Sequence, residues 1–332
     1  MPDDVETVVT RFINECVQPS PSDRLLILFD TASRDVGAAI ASGSAGLTYT
    51  VPLFVPKHCL EFAANRGTLP PSIADAIDSS TITITCIADI DGYARFRGAA
   101  VRHARDNKHK VVHLPGVSLE EFLDAVNNTN FARVEETSNK YKALLSRARH
   151  VSIVTQSAAS ESLTLEFDIS DRNVLACGGR ASASEIMNLP TGEVYVAPLE
   201  NSAHGAISLI GSTDHMVFVE RDGVTLVFRD GRLQPAESVF GNTNRARRLR
   251  DYFMGLSDTD RTLCEFGIGT NNAFSKLSGQ EVRDEKMAGT IHIALGNNAA
   301  FGGRNTESVI HRDIVISNPV LHLDGSRLAL PS

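Results

Sequence analysis

The residue types best suited to chemistry crowd into the last third of this chain. Around His311 the sequence runs Val-Ile-His-Arg-Asp-Ile-Val-Ile. Such an apolar run reads as a strand, and alternate strand residues share a face. His311 and Asp313 therefore project together, while Ile310, Arg312 and Ile314 point the other way. An imidazole and a carboxylate buried among Ile and Val need partners, because unpaired burial is costly. A bound metal is one such partner; a structural hydrogen-bonded pair is the alternative. Three further candidates precede this pair. His292 lies in the strand-like Thr-Ile-His-Ile-Ala-Leu, Glu193 follows the turn-forming Pro190-Thr-Gly192, and Glu265 precedes Phe-Gly267-Ile-Gly269. Singly, Glu193 and Glu265 read more readily as surface glutamates and His292 as a satisfied core histidine. Together, three carboxylates and two imidazoles suit one or two divalent ions of the Zn, Mn, Co or Fe type. Two such ions can clamp a water and polarise a carbonyl, which is the chemistry of metal-assisted amide hydrolysis.

The elements that must carry these residues fall into two patterns. Leu25–Phe29, Thr81–Ile87 and Lys110–Leu114 read as buried strands, separated by helix-like stretches near 36–42 and 93–106. Ser118 and Glu121 have capping-box spacing ahead of a helix reaching about Val126. Strands alternating with helices imply a mostly parallel, doubly wound sheet. After about residue 145 short strands dominate: 150–154, 163–167, 193–197 and 206–210, then a hairpin signalled by Asp230-Gly231 and one helix near 242–254. The expected organisation is an α/β N-terminal domain with a mostly parallel sheet over 1–145 and a β-rich, α+β metal-binding domain over 146–332. Asp284-Glu285-Lys286 reads as a charged surface turn, and Arg245, Arg247, Arg248 and Arg250 as a solvated helix face.

Composition narrows the class. With 40 acidic and 32 basic side chains the net charge is −8, which argues against general nucleic-acid binding. No window approaches the length of an apolar membrane span. The start, Met-Pro-Asp-Asp-Val-Glu-Thr, lacks the basic and apolar regions of a secretion signal. The five cysteines, Cys16, Cys59, Cys86, Cys177 and Cys264, show no CxxC spacing and read as reduced thiols. A cytoplasmic protein without nucleic-acid or membrane partners is expected. The glycines at 267, 269, 302 and 303 form no nucleotide-binding loop.

Four segments occur in an order that carries a resemblance. They are Asn-Leu-Pro-Thr-Gly-Glu193-Val-Tyr-Val-Ala-Pro198, Glu265-Phe-Gly-Ile-Gly-Thr-Asn271, Asp284-Glu-Lys-Met-Ala-Gly-Thr-Ile-His292-Ile-Ala-Leu-Gly296 and Gly-Gly-x-Asn305-x-x-Ser308-x-x-His311-x-Asp313. Over residues 185–315 the chain resembles the thermophilic aminopeptidase T (AmpS-type) metallopeptidase family. The resemblance implies a dinuclear site for Zn, Co or Mn with Glu193, Glu265, His292, His311 and Asp313 as ligands. It also implies a homodimer with an enclosed cavity and release of N-terminal residues from small peptides. Glu193 and Glu265 would bridge or hold the ions. His204, in Glu200-Asn-Ser-Ala-His204-Gly205, is either a proton-transfer group near the metals or a loop histidine. Asn305 and Ser308 either orient His311 and Asp313 or are turn residues.

Two features depart from the family pattern. Its aminopeptidases add a tyrosine ligand soon after the His292 position; the counterpart here falls near Ala299, Phe301 has no oxygen, and the last tyrosine is Tyr252. The chain is also shorter than those peptidases. A sister branch, the dihydroxypyridine ring-opening dioxygenases, resembles it in compactness and uses one Fe(II) held by two histidines and an aspartate. His292, His311 and Asp313 would supply that triad with a small-molecule substrate. The dioxygenases' first histidine aligns near Glu265, and a glutamate there favours the hydrolase. A non-catalytic metal-binding scaffold is a third reading.

Overall fold

Leu25-Leu-Ile-Leu28 is buried residue after residue, as a strand covered on both faces must be. The computed structural model describes residues 4–88, 90, 92–183 and 185–332, so the first three residues of the start compared with a secretion signal lie outside the described residues. It places this run as β1 (Arg24–Phe29) in a five-stranded sheet with β2 (Tyr49–Phe54), β3 (Ile82–Cys86), β4 (Lys110–His113) and β8 (Ile186–Asn188), in the order β2-β1-β3-β4-β8. Every pair is parallel. Leu25 and Ile27 pack with Val36, Ile40, Phe122 and Val126 of helices Arg34–Ser44 and Leu119–Asn128. Leu26 and Leu28 pack on the opposite face with Leu60, Ile73, Ile77 and Phe96 of helices Lys57–Arg66, Pro71–Asp78 and Ala94–Asp106. The capping box forms as its spacing predicts: Ser118 accepts from the Glu121 amide while the Glu121 carboxylate accepts from the Ser118 amide.

The period-two segments build two seven-stranded sheets. One runs β14 (Arg232–Leu233), β13 (Thr225–Arg229), β10 (His204–Ser208), β6 (Ser162–Asp168), β5 (His150–Gln156), β18 (Val320–Leu323), β19 (Ser326–Leu328). The other runs β12 (Met216–Phe218), β11 (Gly211–Thr213), β17 (His311–Ser317), β16 (Thr290–Gly296), β15 (Leu263–Gly269), β9 (Glu193–Val196), β7 (Leu175–Cys177). Asp230 and Gly231 adopt positive φ of 48° and 78° at the tight turn between β13 and β14. The two sheets share one core: Val151, Ile153, Leu165, Phe167, Ile207 and Phe228 from the first meet Val196, Phe266, Ile268, Ile293 and Ile314 from the second. Helix Asn244–Met254 adds Leu249 and Phe253 to it.

The chain divides into one unit running to Glu135 and resuming over Cys177–Thr191, and a second made of Glu136–Ala176 and Gly192–Ser332. The change in sequence pattern predicts a single boundary at 145/146. The changeover falls instead within helix Phe131–Leu145, and the chain returns to the first unit to add β8 to its sheet. A three-residue strand carries too little periodicity to announce such a return. Among the described residues no helix is long and apolar enough to cross a membrane.

Phe266 lies between Glu265 and Gly267 in the chain but faces the core, with its ring centroid 5.3 Å from that of Phe167. Replacing it by alanine leaves a cavity between the sheets, with an expected loss of about 3–5 kcal/mol. Urea unfolding followed by circular dichroism measures this, and a loss below about 1 kcal/mol would contradict the assignment of Phe266 to a rigid core.

Candidate metal centre

The second sheet sorts its residues by pleat. Val194, Val196, Phe266, Ile268, Ile291, Ile293, Leu295, Ile314 and Ile316 enter the core between the sheets. The alternate positions, Glu193, Glu265, Gly267, His292, His311 and Asp313, share the other face. Register brings them together: Glu193 lies opposite Gly269, Gly267 opposite His292, Ala294 between Glu265 and Asp313, and Gly296 opposite His311. All five residues singled out in the sequence thus sit on adjacent strands β9, β15, β16 and β17.

Glu265 is the centre of the arrangement. Its Oε1 lies 3.2 Å from His292 Nε2, and its Oε2 lies 3.3 Å from His311 Nε2. Asp313 Oδ1 is 3.6 Å from the same His311 nitrogen, and Glu193 Oε2 is 3.5 Å from His292 Nε2. The donor atoms fall into two compact groups, Glu265–His311–Asp313 and Glu193–Glu285–His292, each with its atoms within 4.8 Å of one another. The iron triad that the sequence allows, His292 with His311 and Asp313, is not such a group, because Glu265 stands between the two imidazoles. Gly267 makes the centre possible: a Cβ there would lie 2.1 Å from His292 Nε2, so only glycine lets the ring lie across the neighbouring strand.

Glu285 enters the site as a correction. The Asp284-Glu285-Lys286 turn expected at the surface is buried. Asp284 accepts from Ser212 Oγ at 2.8 Å, Ser278 Oγ at 2.8 Å and the Gly279 amide at 2.8 Å, which anchors the turn. The Asn271 amide donates to Lys286 O at 2.8 Å, laying the segment along the end of β15. Gly269 leaves space for it, since a Cβ there would meet Met287 O at 2.1 Å. Lys286 Nζ then reaches Glu193 Oε1 at 2.7 Å and pairs with the Glu285 carboxylate. A charged trio leading directly into the strand that carries His292 was the available signal; local sequence does not say that its polar groups have buried partners.

The remaining candidates separate clearly. His204 is exposed on β10 in the first sheet, opposite Glu166, and is not near the centre. Its core-facing neighbours Ala203 and Ile207 place it on the outer face of that sheet. Asn305 donates to Gly296 O at 2.6 Å and Thr259 O at 2.8 Å, and Ser308 donates to Asp260 at 2.6 Å, so both tie down the 297–310 loop and neither bonds His311 or Asp313. The orienting partner of His311 is the backbone: its Nδ1 donates to Asn297 O at 3.0 Å, which directs Nε2 at Glu265 and Asp313. Phe301 packs edge-on to His311 at 5.9 Å and to Tyr195 at 5.6 Å, an apolar wall where the family resemblance implied a tyrosine oxygen. A register shift between Leu263 and Glu265 marks a bulge, and Cys264 Sγ lies 3.7 Å from His311 Nδ1. Arg312 points away, paired with Glu281 at 2.9 Å. The helix arginines Arg245 and Arg248 are paired with Asp222 and Asp214.

Charge dominates the electrostatics. Burial works against protonation of His292, but the Glu265 hydrogen bond and the carboxylates of Glu285 and Glu193 overcome it and raise the imidazole to about 9. His311, with 36% of its side chain exposed, is also raised against burial, chiefly by Cys264 and Asp313. Burial pushes Glu285 well above the usual carboxylate range, while Glu265 and Asp313 are held low against burial by the imidazoles. The centre therefore attracts positive charge.

A two-sheet unit presents clustered carboxylates and imidazoles on one sheet face, a donor set suited to a divalent metal. Residues 123–327 match the thermophilic metalloprotease (M29) family, and the chain belongs to it. Two solved structures share its fold over nearly the full length. One is 2,5-dihydroxypyridine dioxygenase from Pseudomonas putida KT2440, with a TM-score of 0.74, 14% identity, and coverage of 98% of this chain and 95% of that one. The other is wild-type AmpT from Thermus thermophilus, with a TM-score of 0.60, 16% identity, and coverage of 98% and 96%. No curated protein matches the chain.

Membership of a metalloprotease family implies a divalent metal, and the donor set fits one. Around a tetrahedral ion with ligand distances near 2.0–2.2 Å, neighbouring donor atoms stand about 3.3–3.6 Å apart. Within the Glu265–His311–Asp313 group, His311 Nε2 lies 3.3 Å from Glu265 Oε2 and 3.6 Å from Asp313 Oδ1. Asp313 Oδ1 is buried with no hydrogen-bond partner, as an oxygen reserved for a cation would be.

Gly267→Ala is expected to displace His292 and weaken Zn or Mn affinity by about tenfold or more, measured by calorimetric titration; unchanged affinity would contradict the packing described for Gly267. The metal-free protein carries a second expectation. His292 and His311 are raised in the folded state, so the folded form binds more protons than the unfolded form above neutrality. For His292 this stabilisation is complete below about 6.5 and is lost as pH rises through about 9. Melting temperature with EDTA should fall between pH 6.5 and 9, and added metal should flatten the fall. A melting temperature that rises over that window would contradict the charge balance.

Proposed function

We propose that this chain is a metal-dependent hydrolase that cleaves an amide or peptide bond near a free amino terminus. The observation that carries the reading is Glu265, buried between two imidazoles with one oxygen facing each. That carboxylate-centred arrangement supports the hydrolase over an iron triad of two histidines and an aspartate. A divalent ion held by Glu265, His311 and Asp313 would polarise the scissile carbonyl and lower the pKa of an attacking water. The protein's own groups do the rest. His311 is held in one tautomer by the Asn297 carbonyl, so its Nε2 remains available as a donor. Glu193 and His292 continue the polar face along β9 and β16. Glu285, in the neighbouring donor group and with its carboxyl raised by burial, would take the water's proton and return it to the leaving amine. His204 has no part in this chemistry.

The test uses aminoacyl anilides and short peptides with free or acetylated amino termini, supplied with Zn, Mn or Co. Release from the free-amine substrates alone is expected. Oxygen uptake with an electron-rich dihydroxylated aromatic under Fe(II), without anilide cleavage, would refute the hydrolase and favour the dioxygenase; tight metal binding with neither activity would favour the scaffold. Within the hydrolase, His311→Ala should lose metal and turnover together. Glu285→Gln should keep the metal and lose about 10²-fold or more in kcat. A Glu285→Gln enzyme with full kcat would remove Glu285 from the proton path.

A further inference from the structure

The two donor groups differ in one respect: only the Glu193–Glu285–His292 group already contains a fixed positive charge. Lys286 is fully buried, with Nζ 2.7 Å from Glu193 Oε1 and ion-paired to Glu285 Oε1. Lysine is almost never buried without partners, and here its partners are the two carboxylates that would otherwise complete a second metal site with His292. We infer that the Lys286 ammonium takes the place of a second divalent cation, so that this protein holds one ion, in the Glu265–His311–Asp313 group, instead of a pair. The inference rests on the metalloenzyme reading above and specifies the stoichiometry of its centre.

Space, charge and anchoring support it. A divalent ion bound through Glu193 Oε1 and Glu285 Oε1, about 2.0–2.2 Å from each, would have to displace Nζ, which already pairs with both oxygens. Lys286 already supplies a fixed positive charge to Glu193 and Glu285, whereas among the described residues no lysine or arginine is ion-paired to Glu265 or Asp313, whose charge a single divalent ion would balance. Lys286 is also not a mobile arm that can swing aside. Its carbonyl accepts from the Asn271 amide at 2.8 Å, the Ala288 amide donates back to Asn271 O at 2.8 Å, and the preceding Asp284 is held by Ser212, Ser278 and Gly279. The turn that delivers the ammonium is among the most firmly bonded segments near the centre. His292 then serves both groups, its Nε2 facing Glu265 at 3.2 Å and Glu193 at 3.5 Å.

Full-length protein loaded with Mn(II) and freed of excess gives two readouts that do not depend on turnover. One is the metal-to-chain ratio by mass spectrometry, and the other is the electron paramagnetic resonance spectrum. The unaltered protein should hold about one ion and show the six-line spectrum of an isolated Mn(II). Lys286→Met should admit a second ion, and the spectrum should change to that of an exchange-coupled pair, since paired ions in such sites lie about 3.5–4 Å apart. Lys286→Gln, which keeps a polar group in the cavity, repeats the measurement should the methionine variant not fold. Two ions with a coupled spectrum in the unaltered protein would overturn the inference and leave the metalloenzyme reading intact. So would a folded Lys286 variant that still takes only one. No Mn(II) bound at saturating concentration would overturn both.

Discussion

Four carboxylates are held out of water within one patch of a β-sheet, and the rest of this structure is arranged around that fact. Glu193, Glu265 and Glu285 are nearly inaccessible, and Asp313 adds a buried oxygen with no hydrogen-bond partner. Buried charge of one sign is tolerated only where opposite charge is supplied close by. The supply here comes from Lys286, from imidazoles that favour their protonated form, and from the divalent ion that membership of a metalloprotease family implies. Each supporting feature serves this balance. The sandwich core fixes the pleat, Gly267 and Gly269 open room above it, and the Asp284 turn brings in a cation on a rigid backbone.

The same constraint separates rigid from adaptable parts of the centre. Glu193, Glu265 and His292 ride on strands whose alternate residues are locked in the shared core, so their positions follow the sheet. His311 and Asp313 open β17, and the loop before it is held by Asn305, Ser308 and the Asn297 carbonyl rather than by apolar packing. The centre meets solvent on that side, where His311 is partly exposed and Phe301 forms a wall against its ring. A fold shared with both a dihydroxypyridine dioxygenase and an aminopeptidase-type protein does not choose between chemistries. The residues on the polar face do, and Glu265 between two imidazoles is the feature that bears on the choice.

Much of the fold was legible from local pattern. The continuous apolar run at 25–29 and the alternating Thr and Ile of 81–87 read as strands, the Ser118 and Glu121 spacing gave a capped helix, and Asp230-Gly231 gave a hairpin, because each depends on interactions within a few residues. The short strand β8 was not legible, since its assignment to the first sheet comes from pairing with β4 across 75 positions of sequence, Val111 opposite Ile186. His204 resembled a site residue by order along the chain, but chain order does not reveal which of two stacked sheets a strand joins.

Residue type and period by themselves determined that Glu193, His292, His311 and Asp313 stand on strand-like runs, that Glu265 adjoins a glycine-rich segment, and that His311 and Asp313 share a face. Those are consequences of side-chain alternation along a single strand. That the four strands lie side by side in one sheet, that Glu265 falls between both imidazoles, and that Glu285 and Lys286 turn inward were decided only by tertiary structure. Strand order, register and the buried bonding of the 284–288 turn are set by contacts between residues far apart in the chain. No local period encodes where a charge will find its counter-charge.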